Sequence, residues 1–278
     1  LPGIKISKKI LLTRNLKALI LSDILFIVVP AQRFRENLIE MKNCDFVPKN
    51  LVLCSKGIEI GTNLLMSEIS SEFFPYADTM VLSGPNFARE VASGLPTAFV
   101  LSGNNRKKIK DIGGIISDKF FRPYFNSDLI GTQLGGALKN IIAIACGIVI
   151  GKKLGENARS SVMTRGLQES VSLGIKMGAK KQTFYGLSGI GDFNLSCGSK
   201  LSRNFNFGFQ LGKGTKISLL KKEKRLVEGI LCCESVNKLA EVYGVEMPIS
   251  RSIGDISAGK SISSIIKNLL SRPYQFEN

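Results

Sequence analysis

No histidine occurs among the 278 residues, and no tryptophan. The first absence removes Ser-His and Cys-His nucleophilic machinery and histidine-ligated metals, so proton transfer falls to lysine, tyrosine, cysteine or a carboxylate. The second, with only five tyrosines, leaves little aromatic surface for stacking on nucleic-acid bases. Cysteine is sparse: Cys44, Cys54, Cys146, Cys197, Cys232 and Cys233 show neither Cys-x-x-Cys spacing nor the density of a secreted scaffold. They read as reduced thiols of a cytoplasmic protein. A long apolar run is missing too, since the uncharged stretch from Asn140 to Gly151 is too short to span a bilayer. No signal peptide is evident.

What is present is a globular composition, 44% hydrophobic and 22% charged, long enough for one large or two ordinary domains. The net charge of +16 favours anionic partners: nucleic acid, a membrane surface or phosphorylated metabolites. The lysines are scattered, which ranks nucleic acid last.

The stretch from Gly131 to Gly151 stands out. At helical spacing Leu134, Leu138, Ile141, Ala145 and Ile148 form one stripe. The opposite face carries Gly135, Gly136, Ala143, Cys146 and Gly147, with Lys139 and Asn140 as its sizeable polar groups. Small residues admit a ligand or another backbone, and desolvation there lowers a lysine's pKa into the range of a general acid or base. A buried helix with one snorkelling lysine is the plainer alternative.

Before this stretch, apolar strands alternate with helices. Strands are expected at Lys9–Thr13, Asp23–Pro30, Leu51–Gly57, Met80–Pro85, Thr97–Ser102 and Phe120–Phe125, with helices near 14–21, 33–41, 63–73, 86–92 and 105–117. That order implies an α/β fold with a parallel sheet covered on both faces. After Asp128 only helical patterns follow, near 131–150, 157–178, 182–187, 199–212, 216–223, 230–243, 248–256 and 261–270. The expected division is a sheet domain over residues 1–129 and a helical domain over 130–278.

Strand ends and turns carry the polar motifs. Ser55-Lys56-Gly57 places a cation past one strand, and Ser83-Gly84-Pro85-Asn86 closes another, with Asn86 a candidate helix N-cap. Gly186–Asp192 reads as a glycine-rich loop ending in an acid. Ser202-Arg203-Asn204 suits a phosphate, with Arg203 gripping it bidentately, although a solvated helix face is the ordinary alternative. Gly189-x-Gly191 and Gly212-x-Gly214 lack the third glycine of a dinucleotide fingerprint. No metal site is read.

As a set, these pieces resemble the bacterial-type NAD(P)-dependent glycerol-3-phosphate dehydrogenases over essentially the whole chain. The matching segments are Leu1-Pro-Gly-Ile-Lys5, Asp23–Pro30, Ser55-Lys-Gly-Ile-Glu59, Ser83–Glu90, Gly135–Asn140, Asn157-Ala-Arg159, Thr164–Leu167, Gly189–Asp192, Ser202–Asn204, Val227–Gly229 and Gly244–Pro248. The resemblance implies a Rossmann-type sheet domain, truncated here, followed by an all-helical substrate domain. It further implies a homodimer that does not insert into membranes. The implied activity is hydride transfer between NAD or NADP, with NADPH favoured, and sn-glycerol 3-phosphate or dihydroxyacetone phosphate, supplying glycerophospholipid synthesis.

By the same resemblance Lys139 is the proton acceptor and Lys56 the second lysine at the reacting centre, with Asp192 placed to orient an ammonium. Gly84, Asn86, Ser202, Arg203 and Asn204 fall to the substrate, while Lys56, Ala88, Arg203, Leu226 and Glu228 fall to the cofactor. Asn86 stands where the family usually has Ser or Thr, and Cys232 and Cys233 lie in a segment usually richer in Thr and Ala. One departure is larger. The family's first strand and Gly-x-Gly-x-x-Gly turn, which seats the cofactor pyrophosphate on backbone N–H groups, are not found here. The chain therefore reads as part of a dehydrogenase, or as a non-catalytic remnant of one. Residues 1–278 alone are expected neither to bind NAD(P)H measurably nor to turn over substrate, and to aggregate through an exposed sheet edge around Ile24, Phe26 and Val28.

Overall fold

Leu51, Val52 and Leu53 are all fully buried, although successive strand residues point to opposite faces. A sheet covered on both sides is the only arrangement that buries such a run. The computed structural model describes residues 3–222, 227–274 and 276. It contains β1 (Leu25–Ile27), β2 (Asn50–Leu53), β3 (Asp78–Ser83), β4 (Thr97–Gly103) and β5 (Phe121–Asn126), in that spatial order. β1, β2 and β3 run parallel, as do β4 and β5. The β3–β4 pair is antiparallel, with Ser83 opposite Val100. The sheet is therefore mixed, not wholly parallel as its apolar runs imply; a strand buried on both faces reads alike in either direction.

Helices α1 (Phe34–Lys42), α2 (Met66–Phe73), α3 (Ala88–Ala92) and α4 (Arg106–Ile116) connect these strands. Phe34, Leu38, Met66 and Ile69 cover one face over Leu51, Leu53 and Val81. Ile109 and Ile112 cover the other over Val52, Met80, Phe99 and Leu101. Lys9–Thr13 forms no strand. Ser7–Ile10 makes a turn, and a 3-10 helix follows at Leu16–Leu21. Leu11 and Leu12 stay exposed, because no neighbouring strand buries them. β1, shorter than the eight residues expected, is then the edge of the sheet, with Val28 72% exposed just beyond it.

Past β5 the described residues are helical: α5 (Leu129–Gly151), α6 (Glu156–Lys176), α7 (Lys181–Phe184), α8 (Asp192–Gly198), α9 (Arg203–Gly212), α10 (Ile217–Lys222), α11 (Glu228–Val242), α12 (Pro248–Ser257) and α13 (Ile262–Leu270). α5 starts where Asp128 Oδ1 accepts the Gly131 N–H at 2.8 Å. Every residue from Gly131 to Val149 is buried, so α5 has no solvated face and forms the axis of the helical half. Its 23 residues are long and apolar enough to cross a membrane, which the Asn140–Gly151 stretch alone does not suggest; 83% of its most apolar window is buried within the protein. α9 packs along it with backbone against backbone at its glycines. A Cβ on Gly208 would stand 2.0 Å from the Ile144 carbonyl oxygen, and one on Gly147 would stand 2.1 Å from that of Phe205.

The Gly186–Asp192 loop differs from expectation. Leu187–Gly191 forms a π-type turn, kinked at Gly189 where φ is −103° and ψ −108°, that leads into α8, a helix the sequence reading does not contain. α9 correspondingly begins at Arg203 instead of 199.

Candidate active site

Two strand ends and two helices meet around one carboxylate. Lys56 follows β2 in a loop held by the Gln32 side chain, which donates to the Ile58 carbonyl at 2.8 Å and accepts from the Ile60 N–H at 3.0 Å. The same loop is gripped by Arg35, whose guanidinium forks onto Glu59 at 2.9 Å, and by the Ser235 hydroxyl of α11 on the Glu59 carbonyl. So braced, Lys56 Nζ donates to Asp192 Oδ2 at 2.6 Å and to the Gly84 carbonyl at 3.1 Å. Gly84 adopts φ +126°, a backbone conformation that favours glycine. Asn86 is not the helix cap: Phe87 occupies that position without a side-chain bond, and Asn86 Oδ1 lies 3.5 Å from Lys56 Nζ.

Lys139 reaches the same carboxylate from α5. Its Nζ donates to Asp192 Oδ1 and to Ser196 Oγ, both at 2.7 Å. Asp192 is 1% exposed and Lys139 9%. Burial, reinforced by the nearby charge of Lys56, brings the Lys139 ammonium down to a pKa of about 8 against the pull of Asp192. For Asp192 burial acts upward, but the two ammonium groups outweigh it and hold the carboxyl below its ordinary value. The glycines of α5 make this convergence possible. A Cβ on Gly135 would stand 2.2 Å from the Ser188 carbonyl oxygen, and one on Gly136 would crowd Ser83 Oγ and the Lys56 stem. The small-residue face thus receives the π-helical turn and Lys56.

The Ser202-Arg203-Asn204 group opens α9 beside this cluster. Ser202 is the N-cap, its hydroxyl accepting from the Phe205 N–H at 3.3 Å. Asn204 is buried and already engaged, donating to Asn140 Oδ1 at 2.9 Å and accepting from the Gly229 N–H at 3.0 Å. That amide locks α5, α9 and α11 together and leaves Arg203, exposed at the helix start, as the side chain of the three open to a ligand. Glu228 opens α11. One of its oxygens accepts from the Ala31 N–H at 3.3 Å, and the other is buried without a partner among the described residues. Burial raises its carboxyl pKa, countered by the Ala31 N–H and the charge of Arg203.

Ala88 lies exposed at the start of α3, with no described contact to the lysine cluster. Leu226 lies outside the described residues. Cys232 and Cys233 are core residues. Cys232 Sγ lies against Gly57, and burial pushes its thiol up to about 12; Cys233 Sγ donates to the Gly229 carbonyl at 3.1 Å. Ser196 and Asn140 are the site residues that motif reading left unassigned. Ser196 would have followed from α8: it stands one turn after Asp192, on the same face.

A buried carboxylate holding two ammonium groups, one with a lowered pKa, can give and take a proton near neutral pH. An exposed arginine nearby can take an oxyanion.

The comparisons with known proteins point the same way. The family model described as NAD-dependent glycerol-3-phosphate dehydrogenase C-terminus matches residues 128–267, and its N-terminus counterpart matches residues 1–109. The chain is 44% identical over 282 residues to the glycerol-3-phosphate dehydrogenase [NAD(P)+] of Zymomonas mobilis, covering all of this chain and 81% of that protein. It is 45% identical over 257 residues to that of Carboxydothermus hydrogenoformans, covering 91% and 76%. The crystal structure of glycerol-3-phosphate dehydrogenase from Coxiella burnetii superposes with a TM-score of 0.93 at 35% identity, covering 98% of this chain and 84% of that one. A sheet joined to a helical half and the agreement of both family models along the chain carry one conclusion: it belongs to the NAD-dependent glycerol-3-phosphate dehydrogenase family.

Proposed function

We propose that the chain is an oxidoreductase interconverting sn-glycerol 3-phosphate and dihydroxyacetone phosphate with NAD(P). The carrying observation is the sharing of Asp192 by Lys139 and Lys56. Lys139 takes the proton of the substrate's central hydroxyl in one direction and returns it to the carbonyl oxygen in the other. Lys56, held on Gly84 and Asp192, adds positive charge where that oxygen becomes anionic. Gly84 and Asn86 border the same space. Arg203 grips the phosphate, with Ser202 and Asn204 fixing the start of α9 beneath it.

The bound cofactor supplies the hydride acceptor or donor. The free buried oxygen of Glu228 fits a donor group of such a ligand, beside Ala31. Lys56, Ala88, Arg203 and Leu226 complete the proposed cofactor side. Residues 1–129 would then serve the cofactor and 130–278 the substrate; family-model matches ending at 109 and restarting at 128 support that division. We read the working form as a cytoplasmic homodimer that does not insert into membranes, supplying glycerol 3-phosphate for glycerophospholipid synthesis.

The test is NAD(P)H consumption with dihydroxyacetone phosphate, in the enzyme as its full reading frame encodes it. Lys139→Met should lower turnover by roughly 10²–10⁴ while leaving cofactor binding nearly intact. The second reading is a non-catalytic form retaining the phosphate site. That reading expects no turnover in either protein, with Arg203-dependent phosphate binding preserved.

A further inference from the structure

The loop that carries Lys56 is fastened at three consecutive residues just beyond it. Gln32 holds two of them, donating to the Ile58 carbonyl at 2.8 Å and accepting from the Ile60 N–H at 3.0 Å. Between them, Glu59 takes the fork of Arg35 on both carboxylate oxygens at 2.9 Å and the Thr62 hydroxyl at 2.5 Å. Arg35 is paired in turn with Glu72. The backbone of Glu59 is held from the helical half, where the Ser235 hydroxyl of α11 donates to its carbonyl at 2.9 Å. Gly57 leaves no slack towards Lys56: a Cβ there would stand 2.4 Å from the Ala31 Cβ and 3.3 Å from Cys232 Sγ. On the other side of Lys56, the Ser55 hydroxyl donates to the Val29 carbonyl at 2.5 Å. Among the described residues, the side-chain hydrogen bonds of Gln32, Arg35, Glu59 and Ser235 include none to Lys56, Lys139 or Asp192.

We propose that Glu59 is a positioning residue, through which Arg35 from the sheet half and Ser235 from the helical half set Lys56 against Asp192. Lys56 and Asp192 belong to different halves and meet at 2.6 Å, so their contact lasts only while the halves keep their register. Glu59 is gripped by both halves at once, its carboxylate by α1 and its carbonyl by α11. Packing alone does not call for a charge there. The Glu59 side chain is 12% exposed, and the desolvation cost of a largely buried ion pair offsets much of its attraction. What a bidentate fork adds is a fixed direction and distance. This role rests on the reading of Lys56 and Lys139 as the reacting lysines, but it shows in the position of a charge and not in turnover, so either can fail alone.

The experiment follows the Lys139 Cε resonance of the full chain labelled with ¹³C-lysine, assigned by its loss in Lys139→Met. The titratable groups facing Lys139 are Lys56, Asp192 and Cys197, and the charge of Lys56 lowers its pKa. Glu59→Gln keeps the shape of the side chain and loses the charged fork. The midpoint should then rise from about pH 8 towards that of Lys56→Gln. Ser235→Ala, which removes one hydroxyl from the other grip, should raise it by less, and it decides alone if Glu59→Gln does not fold. In the double variant Glu59→Gln, Lys56→Gln the midpoint should equal that of Lys56→Gln, because the clamp acts only through Lys56. Ile112→Val, in the core on the far face of the sheet, controls for lost stability and should leave the midpoint in place. A midpoint that stays at the parent value in the folded clamp variants would overturn the proposal, as would one that Lys56→Gln itself leaves unmoved. A double variant rising beyond Lys56→Gln would overturn it too, since Glu59 would then act by another route. An equal rise in Ile112→Val would reduce Glu59 to a structural residue.

Discussion

Lys139 and Asp192, 53 positions apart in sequence, meet at 2.7 Å, and the carboxylate's other oxygen belongs to Lys56. Two cations therefore share one anion in a nearly dry site. The unmatched positive charge suits an anionic substrate, and it makes the protonation of Lys139 depend on both neighbours.

That coupling predicts a titration. With ¹³C-labelled lysine, the Lys139 Cε resonance of the chain should titrate near pH 8, following its lowered pKa. Asp192→Asn removes an attraction for the proton and should move the midpoint lower. Lys56→Gln removes a repulsion and should move it higher. Oxidation of the alcohol needs neutral Lys139, so its rate should rise with pH through the same midpoint, while carbonyl reduction should fall. A midpoint unmoved by either change would dissociate Lys139 from the cluster.

Arg203→Lys is the second prediction. A lysine keeps the charge and loses the planar fork, worth about 1.5–3 kcal/mol for charged hydrogen bonds. The KM for dihydroxyacetone phosphate should rise roughly 10- to 100-fold, with little change for unphosphorylated dihydroxyacetone. Equal losses on both substrates would make Arg203 a structural residue.

A third prediction concerns the α5–α9 contact. Gly208→Ala would drive a methyl group to 2.0 Å from the Ile144 carbonyl oxygen, which α5 cannot withdraw. Overpacking of this kind costs about 1–3 kcal/mol or more. The control is Gly114→Ala on the exposed face of α4, where a Cβ meets nothing within 4 Å and should add about 0.5–1 kcal/mol. Urea midpoints of the two variants should move in opposite directions.

Glu169 supplies the fourth. It is 6% exposed and accepts from the Ile249 N–H at 2.7 Å and the Ser250 N–H at 3.1 Å, at the start of α12. Burial raises its pKa to about 7 despite those bonds. The folded carboxyl thus binds a proton more readily than the unfolded one. Its contribution to stability is full below about pH 4.5 and is lost as pH rises through 7. A shift of that size corresponds to about 3 kcal/mol. Between pH 5 and 7.5 the urea midpoint of the parent should fall relative to that of Glu169→Gln. Parallel curves would show that the α12 contact holds the carboxylate at its unfolded pKa.

Legibility in the sequence followed the physics of each signal. Lys139 was legible because a charge among glycines and alanines on an apolar helix is costly without a partner. The burial of α5 on all sides was not, since its small-residue face reads as open space until α9 and the π-helical turn fill it. The direction of β4 was hidden for the reason that gives it its apolar run: both faces are covered. α8 was missed because Gly189 and Gly191 announce a loop, whereas Gly189 serves close approach: a Cβ there would stand 2.0 Å from the Phe184 carbonyl oxygen. With α8 went Ser196. Lys9–Thr13 looked like a strand on local preference alone, and strands form only where a neighbour supplies hydrogen bonds.

The glycine seam between α5 and α9 carries one more consequence. Lys139 and Asn140 ride on one helix, Arg203 and Asn204 on the other, and along the seam backbone meets backbone. Atomic radii and peptide geometry, which no rotamer change can adjust, thereby set the spacing of the two backbones from which Lys139 and Arg203 extend. A methyl group added anywhere along the seam would move the two side-chain origins apart together, so damage to the seam should reach the site even though no site residue is touched.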